Sequence, residues 1–473
     1  MRKIVFYLSD HGFGHAARNI SIIENLLKQQ VQVIVKTGKH QGEFISSSFK
    51  EALNLTVLPE MMDVGLILKP MSFEIDARAL EKKVEAYIGS WDSRIESEVA
   101  YLKSVEADLV VCDIVPWVLK AAKLAQVKSC LISNFTWMEI YREYLPQALL
   151  ETYEACYALA DEVIRYDLAT PTMKSFFKEA TEVSVCAREF NLEAAQKIRN
   201  QFNQPIVFVS VGRSVDLAEA IDVSQLSYQF IVTEGIQLVG DNVLYLPKEI
   251  ENTQDYIKAS EMVITKAGFG TVAETMLAKK RCAVIGRESV AEDRATIAHL
   301  VERGLALQVE YRGGLDMEEI LAQLETFKPR FDQVSFTNDS EKIANLLLQF
   351  SQGHYMMKLP AYGNAVSGYL VPLDTMEFPF EVKRVFYLVN VPTDAVRGKH
   401  AYYHSEQVLI CLHGSVKIKC VVEDEETIYE LKDSKEGLYL APHVWREAYE
   451  FSDDAVVLAV SSEPFNETDY RRG

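Results

Sequence analysis

The chain is short of positive charge: 49 Lys and Arg stand against 68 Asp and Glu, a formal net charge of −19 over 473 residues. That balance excludes a nucleic-acid backbone as partner, because binding a phosphate chain needs a basic surface. A small phosphate-bearing ligand stays open, since a few local donors are enough. Paired cysteines are also missing. Cys112, Cys130, Cys156, Cys186, Cys282, Cys411 and Cys420 are scattered, most of them inside apolar runs such as Leu109-Val110-Val111-Cys112. They read as buried thiols of a reducing compartment, not as a disulfide framework. No apolar run is long enough to span a bilayer, so no transmembrane segment is expected. Met1 leads straight into an apolar strand, so no signal peptide is expected either, and a cytoplasmic location follows. What is present is globular: 48% of residues are hydrophobic, and the length predicts two or three domains.

The first informative stretch is Ser9-Asp10-His11-Gly12-Phe13-Gly14-His15-Ala16-Ala17-Arg18. It follows a buried-strand pattern, Ile4 to Leu8, and leads into the helical pattern Ile20, Ile22, Ile23, Leu26, Leu27. This places His15 at the carboxyl edge of a sheet, where open α/β sheets bind ligands. Gly12 and Gly14 permit a sharp turn. His15 could instead cap an ordinary helix, but two histidines and an arginine in one short turn favour function. Strands at Val31–Lys36, Asp108–Asp113 and Lys128–Ile132 alternate with helical segments, including one long helix over Ile75 to Val105. The alternation predicts a parallel, doubly wound sheet over residues 1–200. Asp113 ends its strand as His15 follows the first, so both reach one rim. A carboxylate bonded to one imidazole nitrogen orients the ring and leaves the other nitrogen to accept a proton from a sugar hydroxyl. The bland reading of Asp113 is a helix N-cap ahead of Pro116.

A second half-sheet is expected over 201–352. Pro205 to Gly212 is a strand ending in a glycine turn that carries Arg213. Met262-Val-Ile-Thr-Lys266-Ala-Gly268-Phe-Gly270-Thr271-Val-Ala-Glu274 is a strand, a glycine turn and a helix. Backbone N–H groups at that helix start, with the Thr271 hydroxyl, can hold a diphosphate, and Lys266 adds positive charge. Glu274, one turn in, can reach the hydroxyls of a ribose. Gly212 and Arg213 are grouped with these donor-side residues. Glu292 and Asp293 either bond donor-sugar hydroxyls or serve as acidic charges in the first turn of a helix.

Two such halves resemble the GT-B glycosyltransferases. The Gly14-His15-x-x-Arg18 turn is similar to the family's acceptor loop, which implies a general base at His15 and its helper at Asp113. Lys266 to Glu274 is similar to the nucleotide-binding stretch. Over most of residues 1–330 the chain resembles the glycosyltransferase-like module ahead of the kinase in plant L-arabinokinases. The shared motifs here are His11-Gly-Phe-Gly-His-Ala-Ala-Arg18, Asn134-Phe-Thr-Trp137, Ile140-Tyr-Arg-Glu-Tyr144 and the Lys266 to Glu274 stretch. No galactokinase-type domain is seen to follow.

Beyond Ser351-Gln-Gly-His354, read as a linker, residues 359–473 turn to short alternating strands, which predicts a small antiparallel barrel or jelly roll. Arg397-Gly-Lys-His400-Ala-Tyr402-Tyr-His404, Ala441-Pro-His-Val-Trp445 and Phe465 to Tyr470 resemble the cupin-fold ketoisomerases of dTDP-4-keto-6-deoxyglucose. The resemblance implies catalytic work for His400 and Tyr402, ligand binding by Arg397, His404 and Trp445, and pairing as a homodimer. The sequence departs from that family at Tyr402 and Arg446, where histidines are usual. A tyrosine titrates about three units above a histidine and makes a poor base at neutral pH. His404 is expected to share a strand face with Tyr402. A cupin metal site needs a His-x-His that is missing here, so neither metal nor cofactor is expected.

Together these readings predict an inverting, metal-independent transferase. It would move a sugar from a nucleotide-diphosphate donor, with a dTDP-deoxysugar as the natural choice, to a glycan or glycoconjugate acceptor. Surface-polysaccharide or glycoconjugate synthesis would be its setting. The cupin would bind or isomerise a dTDP-keto-sugar. The alternatives are a nucleotide-sugar hydrolase and a non-catalytic sugar-nucleotide scaffold.

Overall fold

A computed structural model describes residues 2–69, 74–211, 217–247, 250, 252–287, 289–311, 314–364, 366–373, 378, 380–422 and 425–472. Two compact units divide the chain, Met1–Asn345 and Leu346–Gly473.

The first unit holds two large parallel sheets and a two-stranded parallel pair, Leu217–Asp222 with Ile236–Val239. In the first, Lys3–Leu8 lies between Gln32–Thr37 and Leu109–Asp113. Leu55–Pro59 extends one edge, and Lys128–Ser133, Glu162–Tyr166 and Thr181–Val183 extend the other. In the second, Ile206–Ser210 lies between Gln229–Val232 and Met262–Lys266, with Val243–Tyr245 beyond the former and Arg281–Ile285 and Leu307–Val309 beyond the latter. The inner strands are apolar runs buried on both faces, as a helix-covered parallel sheet requires. In each sheet the chain reverses its direction of growth beside the first strand laid down, and that switch point opens a crevice at the carboxyl ends. Leu8 pairs directly with Asp113, so the turn after the first strand and the end of its neighbour share one rim.

One expected helix is two: Ala77–Ile88 and Trp91–Ser104 meet at Gly89-Ser90. The apolar period Leu80, Val84, Tyr87, Trp91, Ile95, Leu102 runs unbroken through the joint, which hides it in the sequence. Glycine's backbone entropy makes it a weak link in a helix, and the chain breaks there.

The second unit is all β apart from short helical ends. One five-stranded antiparallel sheet runs His354–Lys358, Glu436–Leu440, Gln407–His413, Val456–Ser461, Arg384–Val389. The other runs Glu425–Leu431, Val416–Val422, Trp445–Tyr449, Arg397–Tyr402, Tyr470–Arg471. Val416, Ile418, Cys420, Leu438, Leu440 and Val457 fill the core of this jelly-roll cupin. His354, expected as the end of a linker, opens a strand, His354–Lys358. It carries no β-branched residue, and its pairing with Glu436–Leu440 fixes it. All seven cysteines are buried thiols. Among the described residues no helix is long and apolar enough to cross a membrane.

Candidate active site

The rims of the two parallel sheets face each other across a cleft of about 620 Å³. On the first rim Gly12 takes φ +78°, a left-handed turn that only glycine makes cheaply. The helix Gly14–Lys28 starts two residues later. His15, on its first turn, lines the cleft and is buried, with Nδ1 2.9 Å from Asp113 Oδ1. Asp113 is no helix cap, since Pro116 holds that position in Trp117–Ala125.

Asp113 is wholly buried and receives further donors. Arg18 Nε donates to Oδ2 at 2.8 Å, Asn19 Nδ2 to Oδ2 at 2.6 Å, and Arg18 Nη2 to Oδ1. Burial opposes ionisation, but the charges of Arg18 and His15 and their hydrogen bonds hold the Asp113 carboxyl well below the usual carboxylate range. Arg18 Nη2 also lies 2.9 Å from His15 Nδ1, and two donors cannot bond each other. The ionised carboxylate decides the tautomer: Nδ1 carries the proton and donates to Asp113. Nε2 is then the lone-pair nitrogen. The Arg18 guanidinium lies against the paired rings of Tyr166 and Phe269, 5.3 and 5.4 Å from their centroids, which are 5.0 Å from each other. Its Nη1 donates to Asn134 Oδ1 at 2.8 Å. His11, in the same turn, stays neutral: burial first, then Lys266 and Arg287, push it down to about 3.

On the opposite rim the helix Phe269–Leu277 begins beyond Gly268, and Lys266, Gly268, Gly270, Thr271 and Glu274 all line the cleft. The helix starts of the two halves nearly touch: a Cβ added at Gly270 would lie 3.7 Å from Gly14 Cα. Burial and the nearby Arg287 push the Lys266 amine down to about 8. Glu274 is buried, and its Oε1 accepts from Arg188 Nε at 3.0 Å and Nη2 at 2.8 Å. Burial raises its carboxyl above the ordinary value although Arg188 pulls it down. Glu292 reaches the cleft, accepting from Asn134 Nδ2 at 3.2 Å. Asp293 does not: it is wholly buried and taken up by Arg287, through the backbone N–H at 3.0 Å and Nε and Nη2 at 2.8 Å each. Gly212 and Arg213 lie outside the described residues.

The cupin has a smaller pocket lined by Gly398, Lys399, His400, Trp445, Tyr470 and Arg472. Gly398 and Lys399, at φ +83° and +55°, form a bulge that breaks the register against Trp445–Tyr449 and turns His400 to the pocket. His400 Nδ1 lies 3.0 Å from Gly398 O, and a carbonyl only accepts, so Nδ1 carries the proton. Its Nε2 is buried with no partner among the described residues. Burial lowers the His400 pKa below its ordinary 6.5.

Three expected site residues, the catalytic candidate Tyr402 and the ligand-binding candidates His404 and Arg397, lie outside the pocket. Tyr402 is buried behind His400, ring centroids 4.8 Å apart, and burial with the neighbouring Tyr470 raises its hydroxyl far above neutral pH. Its companion is Arg446, stacked 4.7 Å from its centroid and pushed by burial down to about 10. His404 is past the strand end at Tyr402, exposed, its backbone N–H tied to Asp469 at 2.7 Å. Arg397 is exposed and not among the pocket residues. Sequence reasoning missed Lys399 and Arg472 in this pocket, and Arg188 in the cleft. Arg188 stands alone in a loop with no spacing to mark it, and only the distant Glu274 reveals it.

Residues 192–343 match the glycosyltransferase family 28 C-terminal domain, and residues 352–473 match FdtA (WxcM-like, C-terminal). The chain joins a family 28 glycosyltransferase domain to a cupin, and through 352–473 it belongs to the FdtA family of sugar-ketoisomerase-like cupins. Among individual proteins, it is 26% identical over 356 residues to L-arabinokinase of Arabidopsis thaliana, 67% of this chain and 34% of that one. The chain thus spans about a third of that relative's length. It is 39% identical over 108 residues to TDP-4-oxo-6-deoxy-alpha-D-glucose-3,4-oxoisomerase of Aneurinibacillus thermoaerophilus, covering 22% of this chain and 76% of that one. The crystal structure of QdtA, a sugar 3,4-ketoisomerase from Thermoanaerobacterium thermosaccharolyticum in complex with TDP, is 42% identical. It covers 26% of this chain and 88% of its own, with a TM-score of 0.25.

Proposed function

We propose that the chain is an inverting, metal-independent glycosyltransferase that takes a nucleotide-diphosphate sugar to a glycan or glycoconjugate acceptor. The observation that carries this is His15, fixed on Asp113 at one rim and facing the helix start at Gly268 across one cleft. His15 Nε2 takes the proton of the acceptor hydroxyl, whose oxygen attacks the anomeric carbon from the face opposite the diphosphate. The C–O bond to the diphosphate breaks, and the departing charge falls on Lys266, the N–H group of Gly270, and Thr271. Glu274 receives the nucleoside sugar and Glu292 a donor hydroxyl. The Asp113 charge stabilises the imidazolium as it forms. A dTDP-linked deoxysugar donor fits a chain whose cupin relatives carry TDP sugars in their names. His15→Ala should lose activity by about 10²- to 10⁴-fold with donor binding intact. Full activity on the true acceptor would exclude this mechanism.

The cupin reading is isomerisation of a dTDP-keto-sugar, with His400 as the base. Moving a carbonyl from C4 to C3 takes a proton from C3 and returns one to C4, while the O3 hydroxyl loses a proton and O4 gains one; the unpartnered Nε2 of His400 suits the transfer between the carbons. The chain pairs as a homodimer through this unit: Val385, Tyr387 and Val389 of the edge strand Arg384–Val389 expose an apolar stripe, 58%, 66% and 47% exposed.

A further inference from the structure

Glu274 offers a ligand less than its chemistry suggests. A carboxylate facing a ribose takes one hydroxyl on each oxygen, and one facing a 2′-deoxyribose takes only the 3′-hydroxyl. Here Oε1 already accepts two N–H groups of Arg188, at 3.0 and 2.8 Å, which fills both of its lone pairs. A ligand hydroxyl is left with Oε2. Arg188 is not readily displaced. Its Nη2 also donates to Thr253 Oγ1 at 2.9 Å, and its guanidinium lies 5.8 Å from the Phe44 ring centroid. The two side chains are 11% and 4% exposed, so solvent is a poor substitute for either partner.

We infer that the Arg188–Glu274 pair makes the cleft selective for 2′-deoxyribonucleoside diphosphates over ribonucleoside diphosphates, Arg188 occupying the carboxylate oxygen that a 2′-hydroxyl would use. The inference rests on reading the cleft as a nucleotide-sugar site, and it names the class of nucleotide. A ribonucleotide would have to crowd both hydroxyls onto Oε2, where two donors cannot both be well aligned, a loss of about tenfold in affinity.

UDP and dUDP differ only in that hydroxyl. Hydrogen-exchange mass spectrometry on the full chain reads the two units apart, through peptides covering 269–277 for the cleft and 397–402 for the cupin. Protection at 269–277 should reach half-maximum at about tenfold lower dUDP than UDP. Arg188→Ala should bring the ratio close to one, and Arg188→Lys, which keeps the charge and one donor, should fall between. Equal protection by the two nucleotides in the unaltered chain, or a ratio that neither variant moves, overturns the inference but leaves the nucleotide site standing. No protection at 269–277 by either nucleotide overturns both.

Discussion

His15 and Lys266 line one cleft, and under the proposed function each makes a measurable claim at the scale of the residue. Lys266 is depressed to about 8, so below that pH the empty cleft already holds its cation. Above it, the empty cleft holds a neutral amine that must bind a proton along with the diphosphate. Donor KM should therefore rise by up to tenfold per pH unit above about 8 and stay flat below it, and Lys266→Met should abolish the slope. In the cupin the sign is reversed in consequence. His400 is lowered by burial, so the base is already neutral at pH 7. Isomerase activity should hold as pH falls through 6.5 and decline only at lower pH, checked by a pH–rate profile. Asp113→Asn leaves Arg18 without its buried counter-charge and removes the preference for Nδ1–H. Transfer should fall in kcat with donor KM little changed. Much of this was legible from residue types alone: a histidine after one strand and an aspartate ending the next can meet in a parallel sheet. Arg18's surroundings were not, because the packing of Tyr166 and Phe269 against it joins residues distant in sequence.

At the scale of the element, the sequence is readable where a strand ends and misleading where it bends. Lys266, Gly268 and Glu274 all line the cleft, because strand, turn and helix follow one another without interruption. Tyr402 and His404 did not come out as expected. Period-2 reasoning puts His400, Tyr402 and His404 on one face, but the strand stops at Tyr402 and Asp469 holds the chain beyond it. The bulge at Gly398-Lys399 is the device that presents His400, and it depends on glycine. A Cβ at Gly398 would sit 2.8 Å from the Arg446 carbonyl oxygen, at φ +83°. Gly398→Ala should cost roughly 1–3 kcal/mol. The check is a urea titration read through the hydrogen exchange of peptides over 397–402.

For the whole molecule, the lesson of composition is one of division. The parallel sheets announced themselves by alternating strands and helices, and the cupin by the loss of that alternation, because each layer architecture imposes its own period on buried side chains. What composition could not convey was assembly. The stripe Val385, Tyr387, Val389 alternates in and out like any half-buried strand, yet its outward face is apolar. Light scattering of the intact chain should give twice the chain mass of 53.5 kDa, and Tyr387→Glu should shift it to the monomer.

Phe269, one of the two rings packed against Arg18, belongs to the opposite half of the cleft. Any parting of the halves strips that aromatic lid from the cation and lets water reach the Asp113 network. Under the proposed mechanism, proton abstraction would be at full strength only while the halves are together, and an acceptor entering an open cleft would meet a base not yet armed.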